Sequence, residues 1–303
     1  MPFLCIMERE ILDGLRGDLL SRGPFEALPA PVWRAVSSLN TYGTNAIEGN
    51  PLTQDEVDRA IIFREPVKRP TKELLETVQH ASTFIRLVDR RKQQIDIVTV
   101  RSLHEEVFKG VLPDYGHWRR SDVQVRSASF TPERSEWLGE RMAAFLKEYG
   151  RRDSTRTDVF TLGAWFHHEF ESIHPFSDGN GRVGRLLLNL HFLKHDWPPV
   201  NVMPLDRERY MDALGQADKG DLQPLTDYLT VVMGGSLLYF LSRAGTEQDE
   251  LRPLARFKDE TAYSPKFLSL RAKEGELPAV RKGTEWLTSK RALDLYVMEM
   301  RKE

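Results

Sequence analysis

The feature that most constrains this chain is the stretch 173–190, where loop-forming residues lead directly into an amphipathic helical pattern. From His174 to Gly181 there are one proline, one serine, one aspartate, one asparagine and two glycines, a composition typical of a turn. Beyond this turn, apolar side chains recur at helical spacing, at Val183, Leu186, Leu187, Leu190 and Leu193. Arg182, Arg185 and Asn189 fall on another face of that helix. Free backbone N–H groups, the positive end of the helix dipole and two guanidinium groups therefore meet at one place, which predicts a polyphosphate site.

The same loop carries groups suited to catalysis. His174 is a candidate general base, since histidine alone titrates near neutral pH without help from its surroundings. Asp178 only accepts hydrogen bonds when ionised, so a cation such as Mg²⁺ would have to lie between it and a phosphate. Asn180 offers an amide donor for a phosphoryl oxygen. The alternative is a polar turn that caps a buried helix, with His174 simply hydrogen-bonded. The density of functional side chains favours the site.

This stretch resembles the signature of the Fic family, His-x-Phe-x-Asp/Glu-Gly-Asn-Gly-Arg-x-x-Arg. Every fixed position matches: His174, Phe176, Asp178, Gly179, Asn180, Gly181, Arg182 and Arg185. The resemblance implies an α-helical fold that transfers AMP from ATP to a protein hydroxyl and releases pyrophosphate. It implies that His174 deprotonates the hydroxyl and that Asp178 holds Mg²⁺, with Phe176 as a buried anchor of the loop. ATP would be held by Gly179, Asn180, Gly181, Arg182 and Arg185.

A second resemblance to the family lies upstream, from Thr44 to Gly49, which reads Thr-x-x-x-Glu-Gly. It resembles the inhibitory motif Ser/Thr-x-x-x-Glu-Gly/Asn that some Fic proteins carry N-terminal to the catalytic core. The same spacing is common at helix ends, so the motif gains weight only from the signature downstream. Glu48, paired with Arg185, would compete for the place of the γ-phosphate of ATP. The resemblance therefore implies autoinhibition by a motif that contains Thr44, Glu48 and Gly49.

Residues 121–132 include a short alternating run, Val123, Gln124 and Val125, bounded by serines and a proline. In Fic proteins a β-hairpin flap lies at this point, between two helices and before the signature. The resemblance implies that the flap holds a segment of the target protein by strand addition and so aligns its hydroxyl. The alternative is an ordinary surface hairpin.

Hydrophobic periodicity predicts helices over residues 6–22, from about residue 33, and over 54–63, 72–92, 100–107, 136–149, 159–171, 206–217, 222–241 and 289–300. Residues 41–51, rich in Gly and Asn, read as a separate segment after the second helix. His167 and His168 are neighbours in one helix and point about 100° apart, so we expect a structural His167 and no zinc. The predicted fold class is all-α, with a small hairpin flap and a small C-terminal domain.

The predicted organisation has three segments: an N-terminal helical region with the inhibitory motif (1–95), the Fic catalytic core (96–243), and a linker with a tail (244–303). The tail reads as a helix closed by Gly275, a turn, a hairpin at Gly283 and a last helix. It resembles the winged helix-turn-helix of excisionase-like proteins, which implies DNA binding through residues 263–300, such as Lys266, Arg271, Lys273, Arg281 and Lys282. From residue 252 onward there are 12 Lys or Arg against 8 Asp or Glu. That excess does not separate DNA binding from protein contacts.

Composition narrows the class of protein further. The net charge of −2 over 303 residues gives no sign that the chain as a whole binds nucleic acid or membranes. Cys5 is the only cysteine, which excludes an intrachain disulfide and leads us to expect a cytoplasmic protein. The sequence has no uninterrupted apolar run of about 18 residues, so no membrane span is expected.

The leading hypothesis is an adenylyltransferase that uses ATP and Mg²⁺ to modify a Ser, Thr or Tyr hydroxyl of a target protein. Self-modification and a homo-oligomer stay open. One alternative keeps the site but reverses or changes the reaction, by removal of AMP or transfer of another phosphate-containing group. Another is a DNA-binding transcription regulator whose nucleotide site is sensory. The intact His174 argues against a purely sensory site, because phosphate binding does not require a base.

Overall fold

The computed structural model describes residues 7–68, 71–124 and 131–302. Its helices are α1 (Arg9–Leu20), α2 (Ala30–Ile47), α3 (Gln54–Asp58), α4 (Thr71–Arg90), α5 (Ile97–Phe108), α6 (Leu138–Ser154), α7 (Val159–Ile173), α8 (Asn180–Lys194), α9 (Arg207–Ala217), α10 (Gln223–Ala244), α11 (Pro265–Glu274) and α12 (Lys290–Glu299). Strands β1 (Arg252–Pro253), β2 (Val280–Lys282) and β3 (Glu285–Thr288) form an antiparallel sheet in the order β1-β3-β2. The predicted helical fold class is confirmed, and each predicted helix coincides with an observed one.

The chain forms two compact units, and it passes from one to the other within α2, on both sides of residues 198–201, and within α10. The first, which we call the signature unit, contains residues 37–197 and 202–226. The second, the terminal unit, contains residues 7–36, 198–201 and 227–302. It therefore combines both ends of the described chain, whereas the sequence predicted three consecutive segments.

Helix α8 lies at the centre of the signature unit, with α4, α5 and α7 packed against it. Every residue from Arg182 to Leu193 is buried, which explains why its apolar stripe is so wide. Asp158 caps the N-terminus of α7, because its side chain accepts hydrogen bonds from the N–H groups of Phe160 and Thr161. The loop 174–179 joins α7 to α8, so both of its ends are held by rigid, buried helices.

Helix α2 corrects one sequence interpretation, because it runs to Ile47 and includes most of the segment predicted to follow it. Gly43 is accommodated in this helix because a Cβ there would lie only 2.4 Å from the carbonyl oxygen of Val202. Polar contacts with α4 hold its last turns: the Asn45 side chain donates to Thr77, at 3.0 Å. The candidate inhibitory motif is thus the last turn of a helix and the turn that follows it.

The terminal unit joins the tail to α1. Asp249 is fully buried and forms ion pairs with Arg22 and Arg291, at 2.7 and 2.6 Å. Arg291, on α12, also pairs with Asp18 of α1 at 2.9 Å. The predicted tail helix, its stop at Gly275 and the hairpin at Gly283 are confirmed, whereas the short strand β1 was missed.

The structure differs from the linker predicted over residues 244–262. Leu254 and Phe257 are buried there in addition to Asp249. The polar composition concealed these anchors, because the sequence does not show that a charged residue has buried partners. Helix α10 is long and apolar enough to cross a membrane by length and composition alone, but two-thirds of its most apolar stretch is buried, so this is weak evidence.

Candidate active site

The signature loop is closed by its own asparagine. The Asn180 side chain accepts a hydrogen bond from the N–H of Phe176 and donates to the carbonyl of Phe176, both at 2.9 Å. The amide nitrogen carries a second N–H, so the use of that side chain as a phosphate donor stays a prediction. The backbone N–H groups in the first turn of α8 are further donors for an anion.

Phe176 is fully buried, as the resemblance implied, and its ring is stacked on His104 of α5 with ring centroids 3.8 Å apart. His104 accepts a hydrogen bond from the N–H of Gly116 through Nδ1, so its Nε2 carries the proton and donates to the carbonyl of Asp178, at 3.1 Å. Burial lowers the pKa of His104 to about 4, which keeps the ring neutral in this arrangement. The sequence analysis missed His104, whose only signal was a histidine among the apolar residues of α5.

Two glycines of the signature leave space for neighbouring side chains. Gly179 has φ +81°, and a Cβ there would lie 2.3 Å from the ring of Phe108. A Cβ on Gly181 would lie 2.3 Å from Oε1 of Glu48. Glycine at these positions therefore brings a ring and a carboxylate close to the backbone of the loop.

His174 is the first residue of the loop, directly after α7, and adopts a left-handed conformation, with φ 51° and ψ 60°. Its Nδ1 lies 3.3 Å from the carbonyl oxygen of Glu171, and a carbonyl can only accept, so the proton is assigned to Nδ1. Burial, reinforced by the charge of Arg119, lowers the pKa of His174 below its ordinary value. A neutral ring whose Nε2 lacks a proton is the form required of a general base.

The two signature arginines are both buried, and each faces a carboxylate from an upstream element. Arg185 donates from Nε to Thr44 Oγ1 and from Nη2 to Glu48 Oε1, both at 2.6 Å. The predicted contact between Glu48 and Arg185 is therefore present. Arg182 donates to Glu76 of α4 and, at 2.9 Å, to Asp178 Oδ1. Glu76 was not singled out in the sequence.

The pKa values of Glu48 and Glu171, two carboxylates near Arg185, are shifted in opposite directions. Burial alone would raise the pKa of Glu48, but the charge and hydrogen bond of Arg185 hold it below its ordinary value. Glu171, on α7, has its Oε1 atom buried without a hydrogen-bond partner. Burial raises the pKa of Glu171 to about 7, and the nearby Arg185 only partly offsets this. A Cβ on Gly184 would lie 2.2 Å from that same Oε1.

The remaining predicted residues stand as follows. The Asp178 side chain is 58% exposed and accepts from the N–H of Gly179, a donor set consistent with Mg²⁺ bound by one carboxylate together with phosphate oxygens. Among the described residues, no group of three or more His, Cys, Asp or Glu could hold a metal by itself. His167 contacts Tyr210 and His168 contacts Asp218, at 2.5 and 2.9 Å. Both partners lie outside the signature loop.

The predicted flap falls partly on residues 125–130, which lie outside the described residues, and Val125 is among them. Residues 121–124 and 131–134, which the structure does describe, are irregular, with Val123 half-buried and Gln124 exposed.

These features define a helical protein with a glycine-containing loop, a neutral histidine and two arginines at the start of a buried helix. Comparison with known proteins agrees, since residues 94–192 match the Fic/DOC family. A Fido domain-containing protein of Dictyostelium discoideum is 35% identical over 114 residues, which cover 37% of this chain and 78% of that protein. The chain therefore belongs to the Fic/DOC family.

Two further relatives extend the comparison beyond the signature. The protein adenylyltransferase Fic of Nematostella vectensis is 30% identical over 241 residues, which cover 76% of this chain and 55% of that protein. The chain thus spans about half the length of that curated relative. The crystal structure of a Fic domain-containing signaling protein from Bacteroides thetaiotaomicron shares the fold, with a TM-score of 0.69 at 21% identity, over 77% of this chain and 97% of that one.

Proposed function

We propose that the protein transfers AMP from ATP to a hydroxyl side chain of a target protein, and that Glu48 restrains this activity. The observation that carries the proposal is the neutral His174 at the start of a loop that leads into α8, where Arg182 and Arg185 are buried. Phosphate binding alone would need the arginines but not the base. The relative named protein adenylyltransferase supports the same reaction class.

In this reaction Nε2 of His174 would accept the proton of the target hydroxyl while the hydroxyl oxygen attacks the α-phosphorus of ATP. The bond from that phosphorus to the β-phosphate oxygen breaks, and pyrophosphate leaves. The first-turn N–H groups of α8 and the two guanidinium groups would stabilise the charge on the phosphates. Mg²⁺, held by Asp178, would supply further neutralisation of that charge when bound.

The restraint follows from the bonds of Arg185. Its guanidinium already serves Thr44 and Glu48, so it cannot also serve a γ-phosphate in full. Glu48 lies in the turn after α2, and its side chain is 32% exposed. The carboxylate therefore has room to move into solvent without disrupting a helix.

Incubation with α-labelled ATP and Mg²⁺ tests the proposal. We expect slow labelling of protein by the wild type, faster labelling by Glu48→Gly, and none when His174→Ala is added to Glu48→Gly. Labelling from γ-labelled ATP instead would indicate transfer of a different group. Loss of label from a previously modified target would indicate AMP removal by the same site.

We further propose DNA binding by the tail as a second candidate function. It is supported by a pocket that residues of α11 line together with Trp286 of β3, and by the exposure of Lys266, Lys273, Arg281 and Lys282. Arg271, by contrast, pairs with Glu274 and Glu276. Retention on duplex DNA that weakens steeply with salt, and weakens again in Lys266→Gln/Lys273→Gln, would support it. Salt-independent retention or none would favour a protein contact.

A further inference from the structure

Arg119 is a buried arginine that the candidate mechanism does not use. Its side chain has no solvent exposure, and it comes just before a segment whose described residues are 121–124 and 131–135. Its backbone N–H donates to the carbonyl of Pro175, at 2.9 Å, and its Nε donates to the carbonyl of His174, at 2.8 Å. Two donors of one residue therefore hold the first two residues of the signature loop.

The other edge of the same guanidinium faces a different part of the chain. Nη1 donates to the carbonyl of Ser121 at 2.9 Å, and Nη2 donates to the carbonyl of Glu133. These carbonyls lie at opposite ends of the segment that would position the target. A second bond joins the same two ends, because the Ser135 N–H donates to Asp122 Oδ1 at 2.8 Å.

Burial of the Arg119 guanidinium without a close carboxylate costs free energy, which indicates a positioning role for its hydrogen bonds. A buried guanidinium must be desolvated, and the nearest carboxylate, Asp122, is 3.8 Å away and mostly exposed. Arginine is suited to this place because its donors form a rigid planar fork, whereas a lysine ammonium is a single point. Three carbonyls on two segments are therefore held in one plane of donors, and His174 is one of them.

We propose that Arg119 is a positioning residue that couples residues 121–124 and 131–135 to the general base His174. The inference rests on the proposed function, since it concerns the base and target of that reaction. A target bound against these residues would be aligned with His174 through one guanidinium. Without it, ATP would still bind at α8, but the base and the hydroxyl would no longer be held in register.

The test uses the full chain and two kinds of measurement. Hydrogen exchange without nucleotide reports whether residues 121–124, 131–135 and 174–178 are coupled, independently of any activity. AMP transfer in a Glu48→Gly parent reports whether that coupling matters for the reaction. The variants are Arg119→Gln and Arg119→Lys. The exposed neighbour Arg120→Gln is the matched control for charge.

We expect both Arg119 variants to exchange faster at the segment and at residues 174–178, with α8 unchanged. The kcat for transfer should fall about 10²-fold, the loss typical of a misplaced reacting group, while the Kd for ATP stays within about threefold. Arg120→Gln should match the parent. Asp122→Ala should loosen only the segment, because Arg119 still holds His174.

Unchanged exchange at residues 174–178 in both Arg119 variants would overturn the coupling, even if the segment itself loosens. So would a kcat equal to that of an active parent. If Arg119→Gln does not fold, Arg119→Lys carries the same comparison, with Asp122→Ala as the variant that should loosen the segment alone. A parent that transfers no AMP would contradict the proposed function instead, and the exchange measurement would still decide the coupling.

Discussion

The two signature arginines, three residues apart on α8, pair with carboxylates that differ in solvent exposure and in their position relative to a helix. The Glu76 side chain, which pairs with Arg182, is 9% exposed and lies within the long helix α4. The Glu48 side chain, which pairs with Arg185, is 32% exposed and lies in the turn beyond the end of α2. The first carboxylate belongs to a helix and has little access to solvent, whereas the second lies outside a helix with solvent beside it.

The difference predicts that this helix carries one ion pair that holds the fold and one that can open. Arg182 is also fixed by Asp178 and by the ring of Phe108, whose centroid lies 4.7 Å away. Arg185 has Thr44 as its second partner, and Thr44 and Glu48 belong to the same short motif. We therefore expect loss of Glu76 to affect folding and loss of Glu48 to affect activity.

The largest expected effect is on the chemistry that release of Glu48 would uncover. In a Glu48→Gly parent, His174→Ala should reduce AMP transfer by about 10²–10⁴-fold, the usual contribution of a positioned base. Binding of ATP should persist, because the phosphate contacts come from α8. The measurement is the rate of labelling from α-labelled ATP together with an ATP titration. Labelling at the parent's rate would show that His174 is not the base.

Release of Glu48 should have the next largest effect. A charge-assisted hydrogen bond of about 1.5–3 kcal/mol corresponds to roughly 10- to 100-fold in rate or affinity, so we expect a gain of that size in Glu48→Gly. Arg185→Ala in the same background should remove the gain, because the γ-phosphate would then lose its guanidinium. Equal labelling by wild type and Glu48→Gly, at saturating ATP and with a competent target, would leave residues 44–49 an ordinary helix end.

Loss of Glu76 should instead lower the free energy of unfolding. Removal of one partner from a buried ion pair typically costs about 3–5 kcal/mol, so Glu76→Ala should unfold at clearly lower denaturant concentration. Glu48→Ala should cost less, about 1.5–3 kcal/mol, because the buried Arg185 keeps its hydrogen bonds to Thr44. Asp89→Ala, at an exposed position of α4, is the control. Similar losses for Glu48→Ala and Glu76→Ala would abolish the distinction between the two pairs.

The parts of this site that depend on neighbouring residues were predictable from the sequence. Loop composition, helical periodicity and the position of the arginines are all local, and they agree with the observed loop and α8. The Glu48–Arg185 contact joins residues 137 positions apart, and only the family resemblance suggested it. Residues 41–47 were misread because Gly43 and several polar residues fit a helix only through their contacts with Val202 and α4.

The residues that were missed act through partners distant in sequence. Glu76, Arg119 and His104 each lie in a pattern that reads as an ordinary helix face or loop. Their roles become visible only when Arg182, His174 and Phe176 are placed beside them. The buried residues of the predicted linker 244–262 were missed for the same reason, since the partners of Asp249 come from both ends of the chain.

A last expected effect concerns Glu171, which faces Arg185 from α7 beside the Glu48–Arg185 pair. The groups that influence its proton affinity include Arg185 on α8 and Glu48 after α2, and Tyr210 on α9 is coupled to it as well. Because its pKa in the folded protein is about 7, above the ordinary 4.5, the folded state holds a proton that the unfolded chain releases. Between pH 4.5 and 7 its contribution to the free energy of unfolding therefore falls as pH rises.

Glu171→Gln should abolish that fall and leave the variant more stable than wild type by about 3 kcal/mol at pH 8, with little difference at pH 4.5. The buried histidines have lowered pKa values, which weaken the fold at acid pH in both proteins, so the informative quantity is the difference between their curves. Denaturation at half-unit steps from pH 4.5 to 8, with the exposed Glu140→Gln as control, measures it. If the curves of wild type and Glu171→Gln run parallel, Glu171 is ionised throughout. Arg185 would then face two carboxylates at once, and removal of Glu48 would not free it for a phosphate.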